Sequence, residues 1–240
     1  MTVVVFAVSS KATWYLTRGT GLVTLLLLTA SMVLGVVTTV RWKSPRWPRF
    51  ITAALHRNVS LLVVVFLVAH VLTSVIDSFA PIHWLDVVVP VGATYRPLWL
   101  GLGALAVDLL VAVTITSLVR QRLGYGVWRV VHWTSYACWP AALLHGLGTG
   151  SDTKLGWVLV VNLACVAAVL VAVWWRLSVG WPAEAGRRVV LGAVTVVGAI
   201  VLLAWLFNGP TRPGWARRAG TPPSLLSGAA ADANAGPGSG

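Results

Sequence analysis

Between Leu55 and His70 the chain reads LHRNVSLLVVVFLVAH. From Asn58 onward the run carries no Asp, Glu, Lys or Arg until Asp77. A helix needs about 20 apolar residues to cross the hydrocarbon of a bilayer, so this stretch reads as a membrane span with a histidine at either end. An α-helix turns about 100° and rises about 1.5 Å per residue, and the fourteen residues from His56 to His70 therefore cover about 21 Å and close to four turns. Both imidazoles fall on one stripe of the helix, one toward each membrane surface.

Windows free of charged side chains recur outward from this one. They cover 19–40, 58–76, 130–151, 155–175 and 189–211, and a sixth runs from Pro97 to Val119, interrupted only by Asp108. The first is too long and too far into the chain for a cleaved signal peptide. The expected fold is thus an all-α, integral membrane six-helix bundle. It divides into an N-terminal segment (1–18), a six-span domain (19–207) and a Gly/Pro/Ala-rich tail (208–240) that reads as disordered.

Composition agrees. Of the 240 residues 58% are hydrophobic and 10% charged, against about 25% charged in soluble domains. An ordinary soluble enzyme and a disordered polymer are both excluded. The net charge of +12 does not signal nucleic acid, because the basic residues sit between apolar runs and not along one polar face. Eleven of them (Arg41, Lys43, Arg46, Arg49, Arg57, Arg120, Arg122, Arg129, Arg176, Arg187 and Arg188) fall in the loops after spans one, three and five. Basic loops stay cytoplasmic, which predicts both termini outside, although Arg212, Arg217 and Arg218 pull the other way. Of the 14 tryptophans, Trp14, Trp42, Trp47, Trp84, Trp99, Trp128, Trp157, Trp181 and Trp215 lie near span ends, where aromatic belts form. Cys138 and Cys165 form no C-x-x-C and read as small buried apolar residues.

The remaining histidines complete a pattern. His132 and His145 lie thirteen apart in the stretch VHWTSYACWPAALLH, Val131 to His145. Thirteen residues make about 3.6 turns, which leaves the rings on different faces unless Pro140, between them, rewinds the helix. Spans two and four run in the same direction, so His56 and His132 share the cytoplasmic level and His70 and His145 the outer one. A single membrane histidine often just bonds a neighbouring helix. Two level-matched pairs suit a planar cofactor held between two imidazoles, and two b-type haems fit, since no C-x-x-C-H attachment is present. Zinc is the rival metal, but levels about 20 Å apart cannot form one four-ligand cluster. His83, in the loop Pro81-Ile82-His83-Trp84, reads as a solvated or interfacial residue.

These two stretches resemble the ferric reductase-like transmembrane domain family, which includes the membrane portions of ferric reductases and NADPH oxidases. The likeness extends over about residues 14–207. It implies a six-helix bundle in which His56 pairs with His132 and His70 with His145 as axial haem ligands. It also implies electron transfer across the cytoplasmic membrane, here of a bacterial kind, to an extracytoplasmic acceptor such as Fe(III) or a partner protein. Reducing an outside acceptor is helped by about 2.3 kcal/mol per 100 mV of membrane potential.

The chain departs from the full-length members in having no G-x-G-x-x-G dinucleotide site. The donor is then expected to be separate: a cytosolic flavoprotein, a ferredoxin-like protein or quinol. Gly101-Leu102-Gly103 opens an apolar helix and reads as close helix packing. Two alternatives remain open: a haem-binding subunit inactive without its larger reductase, and a non-redox transporter or scaffold with structural histidines.

Arg57 and Arg129 neighbour the inner histidines, and Arg96 precedes span three. All three are candidates for haem propionates, with topology charge the plain alternative for Arg57 and Arg129 and an anionic substrate the other option for Arg96. Asp108, in mid-span, is read as a structural hydrogen-bonding group before a proton carrier; Asp77 and Asp152 cap the outer ends of their spans.

Overall fold

The computed structural model describes residues 10–40, 48–77, 79–150, 152–179 and 181–227. The expected basic loop residues Arg41, Lys43 and Arg46, with Trp42 and Trp47, lie outside them, as does 228–240 of the tail. In chain order the helices are α1 (Ser10–Thr39), α2 (Arg49–Ile76), α3 (Trp84–Val88), α4 (Pro97–Leu118), α5 (Arg120–Leu123), α6 (Tyr125–Trp133), α7 (Ser135–Thr149), α8 (Gly156–Ser178), α9 (Ala185–Asn208) and α10 (Trp215–Arg218). No strand occurs among the described residues. Five helices, α1, α2, α4, α8 and α9, are long and apolar enough to cross a membrane, and the chain is a multi-pass membrane protein.

The span ends follow local chemistry. Pro48 and Pro97 stand at the starts of α2 and α4, where a fixed φ and a missing N–H cost nothing. Inside α1 the hydroxyls of Thr20, Thr24 and Thr29 donate back to Leu16 O, Thr20 O and Leu25 O at 2.6–2.8 Å. Polar side chains are thereby satisfied without water. Along α9, Val189, Val190, Val194, Val197, Ile200 and Val201 are exposed, an apolar surface suited to lipid and costly in water.

The fourth expected span, 130–151, is two helices, α6 and α7, meeting at Thr134. Thr134 N donates to Val131 O at 3.0 Å and Ala137 N to Thr134 O at 2.9 Å. These three-residue steps tighten the winding from about 100° to about 120° per residue. Pro140 lies inside α7. It lacks the N–H for Tyr136 O and crowds that carbonyl, and the ladder gives way before the proline, not at it. Tighter winding moves the thirteen residues from His132 to His145 from about 3.6 turns toward four.

The chain divides into two compact units. The first takes residues 1–83 and 162–193, with the antiparallel α1–α2 pair at its heart. The second takes residues 84–161 and 194–240, built on α4 packed antiparallel to α7.

In the second unit the tail reading needs correction. Residues 209–227 are folded. Pro210 is fully buried, Trp215 is 9% exposed, and its Nε1 donates to Gly148 O at 3.1 Å. Its ring meets Trp99 (5.4 Å between centroids) and Trp205 (5.8 Å). Gly/Pro-rich composition suggested disorder, yet these residues supply turns: Gly214 and Gly220 hold φ of +76° and +90°, a region open to glycine. Trp215 is accordingly a core residue and not part of an interfacial belt, whereas Trp84, Trp157 and Trp181 are exposed as a belt requires. Both cysteines are free and buried, and Cys138 Sγ reaches Ala106 O at 3.4 Å.

Gly148 tests this packing. A Cβ there would run into the Trp99 ring. Gly148→Ala is expected to destabilise the unit by about 1–3 kcal/mol, read as a lower midpoint of thermal unfolding in detergent. An unchanged midpoint would mean that the tryptophan cluster is loosely held.

Candidate functional site

Three of the four span histidines are held by one device. In the first unit His56 Nδ1 lies 2.9 Å from Ser31 O and His70 Nδ1 lies 2.8 Å from Thr17 O. In the second unit His145 Nδ1 lies 2.9 Å from Trp99 O. A carbonyl oxygen only accepts, so each of these imidazoles carries its proton on Nδ1. The neutral ring then has its lone pair on Nε2, the form in which histidine ligates a metal.

Each of these histidines also accepts a hydroxyl on its own backbone oxygen from four residues on. Ser60 Oγ donates to His56 O at 2.7 Å, Ser74 Oγ to His70 O at 2.6 Å and Thr149 Oγ1 to His145 O at 2.6 Å. Ser31 Oγ and Ser60 Oγ meet at 2.7 Å, which ties α1 to α2 beside His56. His132 is held by stacking: its ring lies on Trp128, centroids 4.9 Å apart and planes 27° apart. Trp128 in turn donates from Nε1 to Ser117 Oγ at 3.2 Å. All four rings are half-buried.

This pattern fits the family seen in the two histidine stretches. The chain matches the family described as ferric reductase like transmembrane component over residues 20–143. It belongs to that family. The match runs from within α1 to within α7, takes in His56, His70 and His132, and ends just before His145. No curated protein and no solved structure matches the chain. A ferric reductase-like transmembrane domain points to membrane electron transfer, and such domains generally bind haem.

The arginine candidates fall in different settings. Arg57 is exposed on α2. Arg129 is exposed on α6, its guanidinium 5.0 Å from the centre of the Trp133 ring. Arg96 is 4% exposed and directs its donors at the protein. Nη1 reaches Gly148 O at 3.0 Å and Thr149 O at 2.7 Å, and Nε reaches Thr221 Oγ1 at 2.9 Å. Its backbone, at φ +43°, also donates to Gly220 O at 3.1 Å. Arg96 therefore clamps the end of α7, next to His145, to the folded tail. Asp108 is half-buried and makes no side-chain hydrogen bond among the described residues. His83 lies in an exposed loop.

The glycines opposite the histidines were missed in sequence. A Cβ on Gly21 would lie 2.9 Å from His70 Cε1, one on Gly35 would lie 3.4 Å from His56 Cε1, and one on Gly103 would overlap the His145 ring. One signal was available. Gly21 and Gly35 on α1 are fourteen apart, the same interval as the histidines on α2. Gly101-Leu102-Gly103 is indeed packing: Gly101 admits the Pro90 carbonyl and Gly103 the His145 ring.

Proposed function

We propose that the chain is a b-type two-haem membrane cytochrome. It would move electrons across the cytoplasmic membrane to an extracytoplasmic acceptor such as Fe(III) or a partner protein. The observation that carries this reading is the set of three imidazoles whose Nδ1–H donates to a helix carbonyl. The bond to the carbonyl orients each ring, makes Nε2 the donor atom and raises its basicity. These residues fit haem iron, which supplies one-electron chemistry when bound.

In this reading His56 and His132 hold one haem and His70 and His145 the other, as the family resemblance implies. Arg57 and Arg129 offer charge to the propionates of the first. The α6–α7 pair serves as one crossing, giving six spans with both termini outside. Electrons arrive from a separate donor, a cytosolic flavoprotein, a ferredoxin-like protein or quinol. The chain's own residues hold and orient the cofactor, keep it in hydrocarbon away from water, and transfer no proton.

The test is a reduced-minus-oxidised absorption spectrum of the purified, folded protein, with haem counted as the pyridine haemochrome. About two b-type haems per chain are expected. Absence of haem from protein expressed with adequate haem supply would overturn the reading in favour of a transporter or scaffold.

A further inference from the structure

We infer that Gly21 and Gly103 are positioning residues, which set the tautomer and aim of His70 and His145, while Gly35 shares their spacing opposite His56 with a looser fit. The inference rests on the haem reading for its purpose and on the packing for its argument. The same arrangement occurs three times. An imidazole donates to the carbonyl of one residue, and the residue four further along that neighbouring helix is glycine: Thr17 with Gly21, Ser31 with Gly35, Trp99 with Gly103.

The spacing has a physical cause. In a helix the carbonyl of residue i is bonded to the N–H of residue i+4, and its second lone pair is reachable only from the side. A Cβ at i+4 stands beside that approach. On Gly103 it would crowd His145 Nδ1 well inside contact distance, and on Gly21 it would lie 3.0 Å from His70 Nδ1. The acceptor side chains differ (threonine, serine, tryptophan) because only their backbone is used. Two glycines elsewhere on these paired helices face open space: Gly19 in α1 and Gly146, beside His145 in α7, have nothing within 4 Å of an added Cβ. Glycine is a poor helix former, so its presence at three carbonyl approaches needs a reason that Gly19 and Gly146 do not share.

The geometry grades the three positions. At Gly103 alanine cannot fit unless the ring leaves. At Gly21 the ring must shift, since Cε1 would be 2.9 Å away. At Gly35 the nearest atom would be 3.4 Å away and the next 3.8 Å, which is ordinary contact. Loss of the Nδ1–H bond makes the imidazole a weaker electron donor, favours the ferrous state and raises the potential.

The experiment compares Gly103→Ala, Gly21→Ala and Gly35→Ala in the full chain, with Gly19→Ala and Gly146→Ala as folding controls. Haem content, the low-spin electron paramagnetic resonance spectrum and the midpoint potentials are measured. In haem-free protein, ¹⁵N spectra of labelled histidine report which ring nitrogen is protonated. Gly103→Ala is expected to lose about one of the two haems and retain the other. Gly21→Ala is expected to keep both haems with one potential raised and one set of g-values altered. Gly35→Ala and the controls should match wild type. In haem-free protein Gly103→Ala should remove the Nδ1-protonated signature from one histidine.

Full haem, unchanged potentials and an unchanged tautomer in both Gly103→Ala and Gly21→Ala would overturn the inference while leaving the haem reading intact. If Gly103→Ala fails to fold, the milder Gly21→Ala decides by its potential and tautomer. Wild-type protein without haem overturns the haem reading instead, and the ¹⁵N spectra still decide whether the glycines set the tautomer.

Discussion

His145→Ala is expected to lower haem content from about two to about one per chain and to stop electron transfer across the membrane. The ring it removes sits against Gly103, hydrogen-bonded to Trp99 O. In the proposed reading it is one of only two protein bonds to its iron. Weakening a partner of a metal-bound histidine costs roughly 10–100-fold in affinity or activity, and deleting the ligand should exceed that. The helix itself should survive, because alanine is the best helix former and Thr149 still bonds the backbone oxygen at position 145. The substitution leaves a slot with a hydrogen-bond acceptor at one end. Imidazole added to the medium is expected to enter it and restore part of the lost haem absorbance. Haem content equal to wild type would remove His145 from the ligand set.

Arg96→Leu is expected to have the second largest effect, on stability. Its guanidinium is buried and donates to Gly148 O, Thr149 O and Thr221 Oγ1. Hydrogen bonds to charged groups contribute roughly 1.5–3 kcal/mol each, and an acceptor left buried without a partner costs about 1–3 kcal/mol. Leucine keeps the bulk and removes every side-chain donor, so a loss of several kcal/mol is expected, of the order of 3 or more. The damage should be local first, since Arg96 and Trp215 both hold the Gly148 carbonyl. Limited proteolysis should therefore cut within 209–227 in the variant before any cut appears in wild type. If His145 ligates haem as proposed, the haem absorbance should weaken too, because Thr149, bonded by Arg96, also donates to His145 O. A tail as protease-resistant as wild type would show that the Arg96 guanidinium is not needed to hold it and that Trp215 and the main-chain bond from residue 96 to Gly220 O suffice.

Much of the molecule was legible in order of sequence. Runs of about 20 apolar residues define helices in lipid, because every backbone group must bond within its own segment. Five spans follow from that rule, and the positions of His56 and His70 on one stripe follow from the helix repeat. The division of the fourth span did not follow. Pro140 is visible, but which turn yields depends on the bonds around Thr134.

The tail misled for a related reason. Composition measures the average tendency of a segment to pack, and here one buried tryptophan and one buried arginine outweigh the glycines and prolines around them. Arg96 shows the same limit: a basic residue at a span end reads as a site for an anion, and only its neighbours reveal three protein acceptors.

The sequence by itself determined that this protein lives in a membrane, that four histidines lie in or at the ends of two apolar runs, and that its family is that of ferric reductase-like membrane domains. Those conclusions need only hydropathy and the periodicity of one helix at a time. The tertiary structure alone decided which nitrogen of His56, His70 and His145 bears the proton, and that a Cβ at position 21 or 103 would crowd a histidine ring. Hydrogen bonds and close contacts between helices depend on how residues far apart in the chain are brought within about 3 Å of one another, a distance that no spacing along a single segment encodes.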